Sequence, residues 1–256
     1  MPELLYNPWF YATAIPAVIL VGLSKGGLGG AMGFAGVPIM ALTVSPVQAA
    51  AILLPILILM DGVSLWSWRG NYDRETLWDM LPGAMAGIAL GWLLAAYVTV
   101  EGVRLVVGVV AIAFVSRWLY QKLWTRMVRI QPRNRLLAGF WSLISGFTSF
   151  VAHVGGPPYQ VYALARGLDP KIFTGTSVIF FAVVNVVKLV PYFALGQFDA
   201  TNLTASLVLL PLAPLATLAG VWIVRRLRPD TFYAVSYLTV AAISVKLVWD
   251  AVAQLF

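Results

Sequence analysis

Lys25 is the only charged residue between positions 4 and 60, and it opens a glycine-rich stretch, Lys25-Gly-Gly27-Leu-Gly29-Gly30, that continues through Gly33 to Gly36-Val-Pro38. An ammonium within an apolar segment is costly, and it marks a functional site by default. Its partner would be an anionic solute or the carboxylate of Asp61. Glycine lets the backbone turn and come close to a ligand. Where a helix breaks there, its unpaired N–H groups and positive dipole end suit an anion. A second stretch of the same character is His153-Val-Gly155-Gly156-Pro157-Pro158, followed by Gln160. His153 is the single histidine, able to donate to an anion or relay a proton near neutrality. The candidate anion-binding set is therefore Lys25, Gly27, Gly29, Gly30, Gly33, His153, Gly155, Gly156 and Gln160. Asp61 and His153 are the candidates for coupling to protons or another ion.

Each candidate also has a plainer reading. Gly26, Gly29, Gly33 and Gly36 fit helical spacing and would allow close helix packing. Lys25 could snorkel to the membrane interface, and His153 could be satisfied by backbone carbonyls. Asp61 lies shortly before Arg69, which favours a place at the cytoplasmic mouth. Lys188, one turn after Asn185 and close to Pro191-Tyr192, reads as snorkelling outward. Gln48, Thr174, Thr176 and Ser177 could touch a solute, although Ser and Thr also bond their own helix carbonyls. Enzymatic motifs are missing: there is no H-E-x-x-H, no G-x-S-x-G and no cysteine. The reading is of a protein that is not an enzyme and uses no metal or cofactor.

The elements that must position these residues are membrane helices. Of 256 residues, 61% are hydrophobic and 11% charged, against about 25% charged in soluble domains. Segments 80–100, 136–165 and 200–224 contain no Asp, Glu, Lys or Arg, and a helix of roughly 20 residues spans a bilayer. The apolar segments are approximately 8–43, 47–68, 77–98, 102–124, 136–165, 171–195, 201–224 and 230–254. The net charge of +7 sits in short loops, the positive-inside pattern rather than a nucleic-acid surface. Trp9, Trp66, Trp68, Trp78, Trp118 and Trp124 fall near span ends and read as an interfacial belt. The first ten residues hold no Lys or Arg, unlike a cleaved signal peptide.

The chain repeats itself. Pro46 and Pro170, Asp61 and Asn185, Val63 and Val187, and Leu65 and Leu189 are each 124 residues apart. Gly70-Asn-Tyr-Asp73 returns as Gly196-Gln-Phe-Asp199, both reading as turns with Asp at a helix start, and Leu81-Pro82 returns as Leu210-Pro211. The repeats are assigned to residues 1–128 and 129–256. Loop 117–135 carries Arg117, Lys122, Arg126, Arg129, Arg133 and Arg135, which places it in the cytoplasm. If segment 136–165 crossed once, Arg166, Lys171, Arg225, Arg226 and Arg228 would face outward. If it dips in and returns to the same side, every loop obeys the rule. Arms of roughly 15–20 residues are ample for a half-crossing and marginal for a full one. The expected fold is all-α, with two inverted repeats. Each repeat is a Gly/Pro-broken, re-entrant-like hairpin plus three transmembrane helices, and both termini lie on the extracytoplasmic side. Two short full crossings in place of each hairpin would give the same inversion.

The glycine-rich stretch ending Gly36-Val-Pro38, its second copy ending Gly156-Pro-Pro158 and the eight-segment duplication resemble the TauE/SafE family, the sulfite exporter or toluene sulfonate uptake permeases. The similarity covers essentially the whole chain. It implies secondary transport of a small sulfur-containing anion, sulfite or a short sulfonate, across a prokaryotic inner membrane, with protons as a possible coupling ion. The branch that takes up thiosulfate uses cysteines, and this sequence has none. Two other readings stand beside export by alternating access: an anion channel, and a transporter of a non-sulfur carboxylate. The second copy of the motif has two prolines where the first has a run of glycines.

Overall fold

The computed structural model describes residues 3–27, 35–94, 97, 100–120 and 130–255, and every structural statement below concerns these. Gly29, Gly30 and Gly33 lie outside them, as do Lys122, Trp124, Arg126 and Arg129. The described chain is helical, without strands. Its helices are α1 Pro8–Gly27, α2 Gly36–Met40, α3 Pro46–Ser67, α4 Arg74–Leu93, α5 Val100–Tyr120, α6 Arg135–Ala152, α7 Gly156–Ala163, α8 Pro170–Ala194, α9 Ala200–Leu209, α10 Leu212–Val224 and α11 Pro229–Leu255.

Short polar residues start these helices. Asp73 accepts from the Thr76 N–H at 3.1 Å, and Asp199 from the Asn202 N–H at 2.8 Å. Each satisfies an N–H that the first turn leaves open. Gly70 (φ 79°) and Gly196 (φ 66°) take the left-handed conformation that turns the chain before each cap. Both repeated motifs are thus turns with an Asp cap, as their residues predict.

Three helices are long and apolar enough to cross a membrane: Pro8–Gly27, Val47–Ser67 and Pro170–Ala194. The pair α9–α10, bent by 48°, makes a fourth candidate; Pro211, at the bend, has no N–H for the helix ladder. The first arms of the broken segments have the expected length, and the helices of the return arms are shorter. α1 has 20 residues, roughly 30 Å at helical rise, so the first arm has the length of a full span. Its return arm holds only the 5-residue α2. Likewise the 18-residue α6 precedes the 8-residue α7. Each segment nevertheless comes back to where it starts. The Thr13 and Thr43 hydroxyls lie 2.7 Å apart, and the Gln131 N–H donates to the Ala165 carbonyl at 2.8 Å.

The helices gather into two compact units, Met1–Tyr72 with Thr174–Arg226, and Asp73–Phe173 with Leu227–Phe256. Each unit draws on both halves of the chain. In the first unit, α1 runs parallel to α10. A Cβ at Gly22 would meet Ala216, one at Gly26 the backbone of Thr217, Gly220 and Val221, and one at Gly27 the side chain of Val224. α9 runs parallel to α3: Gln48 Nε2 donates to Asn202 Oδ1 at 3.1 Å and Ser206 Oγ to the Ile52 carbonyl at 2.8 Å. Phe10, Val18, Val21, Ile52, Ile56, Met60 and Leu209 form the core of this unit. In the second unit, α4 and α6 are parallel and touch through Gly83, Gly87 and Gly91 on one helix and Gly146 on the other. Small residues let membrane helices approach to backbone contact. The linker before α6 is tied down by Arg133, whose Nε and Nη2 donate to Asp79 at 2.6 and 2.8 Å, with Glu75 at 3.0 Å.

The α4–α6 contact makes a stability prediction. A Cβ at Gly87 would lie 2.1 Å from the Leu143 carbonyl oxygen, whereas one at Gly62 would meet nothing within 4 Å. Gly87→Ala should destabilise by about 1–3 kcal/mol through overpacking, while Gly62→Ala leaves the thermal midpoint in detergent unchanged or slightly raised. Equal midpoints for the two variants would contradict this packing.

Candidate functional site

Three charged residues are buried among the described residues, and all belong to the first unit: Lys25 (8% exposed), Asp61 (3%) and Lys188 (1%). Lys25 Nζ donates to Asp61 Oδ1 at 2.5 Å. The other oxygen of Asp61, Oδ2, accepts from Asn185 Nδ2 at 2.7 Å. Phe181, Asn185 and Lys188 follow the i, i+4, i+7 spacing of one face of α8. That face meets the ion pair, since Lys25 Nζ sits 5.6 Å from the Phe181 ring centroid, a cation–π distance. Lys188 lies within electrostatic reach of both Lys25 and Asp61.

The plainer sequence readings of the two lysines therefore need correction: neither snorkels outward, and Asp61 is buried with them inside the unit. Breaking such a buried pair costs several kcal/mol, although the pair itself is weak evidence for stability.

Lys25 is fixed by its backbone as well. The last carbonyls of α1 have no partners within the helix, and three consecutive ones are capped by other elements. Ser64 Oγ donates to the Lys25 carbonyl at 3.2 Å, Trp68 Nε1 to Gly26 at 2.7 Å, and Thr174 Oγ1 to Gly27 at 3.0 Å. Arg225 lies over the Trp68 ring at 5.3 Å and donates to the Ser67 carbonyl. Trp68 is thus buried and structural, unlike Trp9, Trp66 and Trp78, which are exposed as a belt requires. Thr174, considered as a solute ligand, caps a helix end instead. Sequence reading found neither Ser64 nor Trp68 as part of this collar.

The second broken segment belongs to the other unit. His153 ends α6 in the left-handed conformation (φ 55°), a position glycine usually fills. Ser145 Oγ donates to the Gly155 carbonyl at 2.7 Å and Thr148 Oγ1 to Val154 at 3.2 Å, which fixes the turn. α7 then begins Gly156-Pro157-Pro158-Tyr159, with Gly155, Gly156 and Gln160 all buried. Proline has no N–H, and the Tyr159 N–H donates back to the Gly155 carbonyl at 3.3 Å. Of these first four residues only Gly156 keeps an uncommitted amide, so this helix start offers an anion less than its break suggested. Gly27, Gly36 and Gly155 each sit where a Cβ would strike a neighbour. Close packing therefore accounts for them directly.

A polar cleft of about 560 Å³ is lined by Arg74, Glu75, Trp78, Asp79, Arg133 and Arg135 in the second unit. Its carboxylates are already paired by Arg133, whose pKa they raise, chiefly through the hydrogen bond to Asp79. Among the described residues no group of three His, Asp or Glu could hold a metal ion.

A family model described as sulfite exporter TauE/SafE matches residues 14–247 of this chain. No curated protein and no solved structure gives a significant match.

Proposed function

The chain belongs to the TauE/SafE family of multi-pass membrane transporters, and from that premise we propose that it moves a small sulfur-containing anion, sulfite or a short organosulfonate, outward by alternating access. The observation that carries this reading is the buried cluster of Lys25, Asp61, Asn185 and Lys188. Ionisable groups inside a membrane helix bundle mark solute and ion pathways. Lys25 and Lys188 supply positive potential for the anion. His153, Gln160, Gly155, Gly156 and the glycines at 27, 29, 30 and 33 stay in the proposed solute path. The proton is the proposed coupling ion, with Asp61 and His153 as its carriers. The setting is a prokaryotic inner membrane, with both termini outside.

The proposed inverted repeats draw support from one contact. Asp61 and Asn185 are repeat mates, 124 residues apart, and they bond to each other. α3 and α8 run antiparallel: past the end of α3, the carbonyls of Trp68 and Asn71 lie against Gly175, near the start of α8. A residue that touches its own mate lies on the operator relating the copies, as in an isologous contact. For antiparallel helices that operator is a two-fold axis perpendicular to both, as in inverted-topology transporters, whose sites lie near the midplane. The closed hairpins, Thr13 to Thr43 and Gln131 to Ala165, support the dip-and-return path that the loop charges demand.

The test is counterflow into proteoliposomes with sulfite, sulfate, thiosulfate, taurine, isethionate and sulfoacetate in parallel. Exchange of at least one sulfur anion above protein-free vesicles is the expected result. Folded protein that exchanges none of them would end the sulfur reading and turn the search to carboxylates.

A further inference from the structure

The starts of α4 and α6 hold charges that the proposed solute path leaves unused. Arg74, Glu75, Trp78 and Asp79 of α4, Arg135 of α6 and Arg133 just before it line the cleft of about 560 Å³. Beyond these turns both helices lose their charge, since residues 80–100 and 136–165 carry none. The cleft therefore lies where polar chain gives way to apolar helix, which in a bilayer is the level of the lipid headgroups. Trp78, 66% exposed in its lining, suits that level.

The three arginines of the cleft are not equally occupied. Arg133 is committed to both carboxylates, to Asp79 through two hydrogen bonds and to Glu75 at 3.0 Å. Arg135 is 77% exposed and reaches Asp79 only at 3.5 Å. Arg74 is exposed and has no ion pair among the described residues. A guanidinium keeps its charge at any physiological pH and fits a phosphate with its fork of donors. Arg74 and Arg135 thus leave two forks open to a ligand from outside. Both helices begin at the cleft, so their positive dipole ends favour an anion there. On α6 the exposed Leu136 and Phe140 follow Arg135 and lie one turn apart, an apolar track leading away from the arginines. We infer that the cleft binds the phosphate of an anionic phospholipid, with an acyl chain laid along Leu136 and Phe140. A phosphodiester accepts from both open forks. Basic pockets at the ends of membrane helices recognise lipid headgroups in this way. A free phosphate offers the same oxygens but nothing for the apolar track. The headgroup of a zwitterionic lipid brings its own ammonium, which competes with the arginines for the phosphate. Such binding needs only the membrane setting of the family and no particular solute.

The test titrates the full chain, in a neutral detergent, with phosphatidylglycerol or with phosphatidylethanolamine of the same acyl chains, and reads the thermal midpoint. Saturating phosphatidylglycerol should raise the midpoint by roughly 5 °C or more, and phosphatidylethanolamine clearly less. Arg74→Gln/Arg135→Gln should abolish the difference. Lys171→Gln/Arg228→Gln removes as many exposed cations outside the lining and should keep it. Inorganic phosphate and glycerophosphoglycerol, which have no acyl chains, should move the midpoint little. Equal responses to the two lipids would overturn the site, as would an unchanged response in the Arg74/Arg135 variant or an equal loss in the Lys171/Arg228 variant. The full shift from inorganic phosphate alone would overturn the lipid as its occupant. If the double variant does not fold, each single variant is read in its place. None of these readouts involves anion exchange, so the transport reading stands or falls separately.

Discussion

Lys25→Met should cut anion exchange about a hundredfold. Methionine fills similar space without the charge, so the loss measures the ammonium itself. Lys25 Nζ makes a 2.5 Å contact with Asp61 and is 8% exposed. A hydrogen bond to a charged group is worth about 1.5–3 kcal/mol, and each 1.4 kcal/mol is tenfold. The substitution also strands the Asp61 carboxylate, and removing one partner of a buried pair costs about 3–5 kcal/mol. A loss of transport could then be a loss of fold. The double variant Lys25→Met/Asp61→Asn separates the two. It removes both charges, leaves neutral groups of similar size and should recover most of the thermal midpoint. Its exchange should stay at the level of the single variant, because the cation that attracts the anion is still missing. Wild-type rates in either variant would take Lys25 out of the solute path.

Much of this arrangement was legible before any coordinates. Lys25 and Asp61 stand out because charge is scarce around them, and their possible pairing follows from sign alone. The equivalence of Asp61 and Asn185 is visible in the 124-residue spacing. That the two touch is not, because a repeat defines an operator without saying where its axis passes. The closeness of Lys188 to Pro191 and Tyr192 along the chain points outward, whereas the residue is buried. The i, i+4, i+7 spacing of Phe181, Asn185 and Lys188 was the better signal, since it assigns Lys188 to the face of Asn185. The 20 residues of α1 fall within the expected arm length, yet Gly26 and Gly27, which suggest a break, lie inside the helix. Packed against α10, they continue the helix to Gly27, where tertiary contact overrides weak propensity. Pro157 and Pro158 held a clue of the opposite kind. Read as helix breakers, they also remove two N–H donors from the start of α7.

Trp68 carries the second large effect, and it was the residue least distinguishable by sequence, one tryptophan among ten. Trp68→Ala should destabilise the protein by about 3–5 kcal/mol, the cost of emptying a buried aromatic site. Trp68→Phe is the informative partner. Phenylalanine keeps much of the packing but cannot donate, so the Gly26 carbonyl loses its 2.7 Å bond. An unsatisfied buried acceptor costs about 1–3 kcal/mol, which a thermal midpoint in detergent will register. Stability is only half of the prediction. Gly26 follows Lys25 directly, and Ser64, Trp68 and Thr174 together hold the carbonyls of residues 25–27. Freeing the middle carbonyl lets the end of α1 shift, and the ammonium shifts with it. Trp68→Phe should therefore raise the KM for the transported anion several-fold, with a smaller effect on the maximal rate. Trp66→Phe, at an exposed position two residues earlier in α3, should change neither. If Trp68→Phe lowered the midpoint and left the KM untouched, the collar would serve the fold alone, and the placement of Lys25 would depend on Asp61 and Phe181.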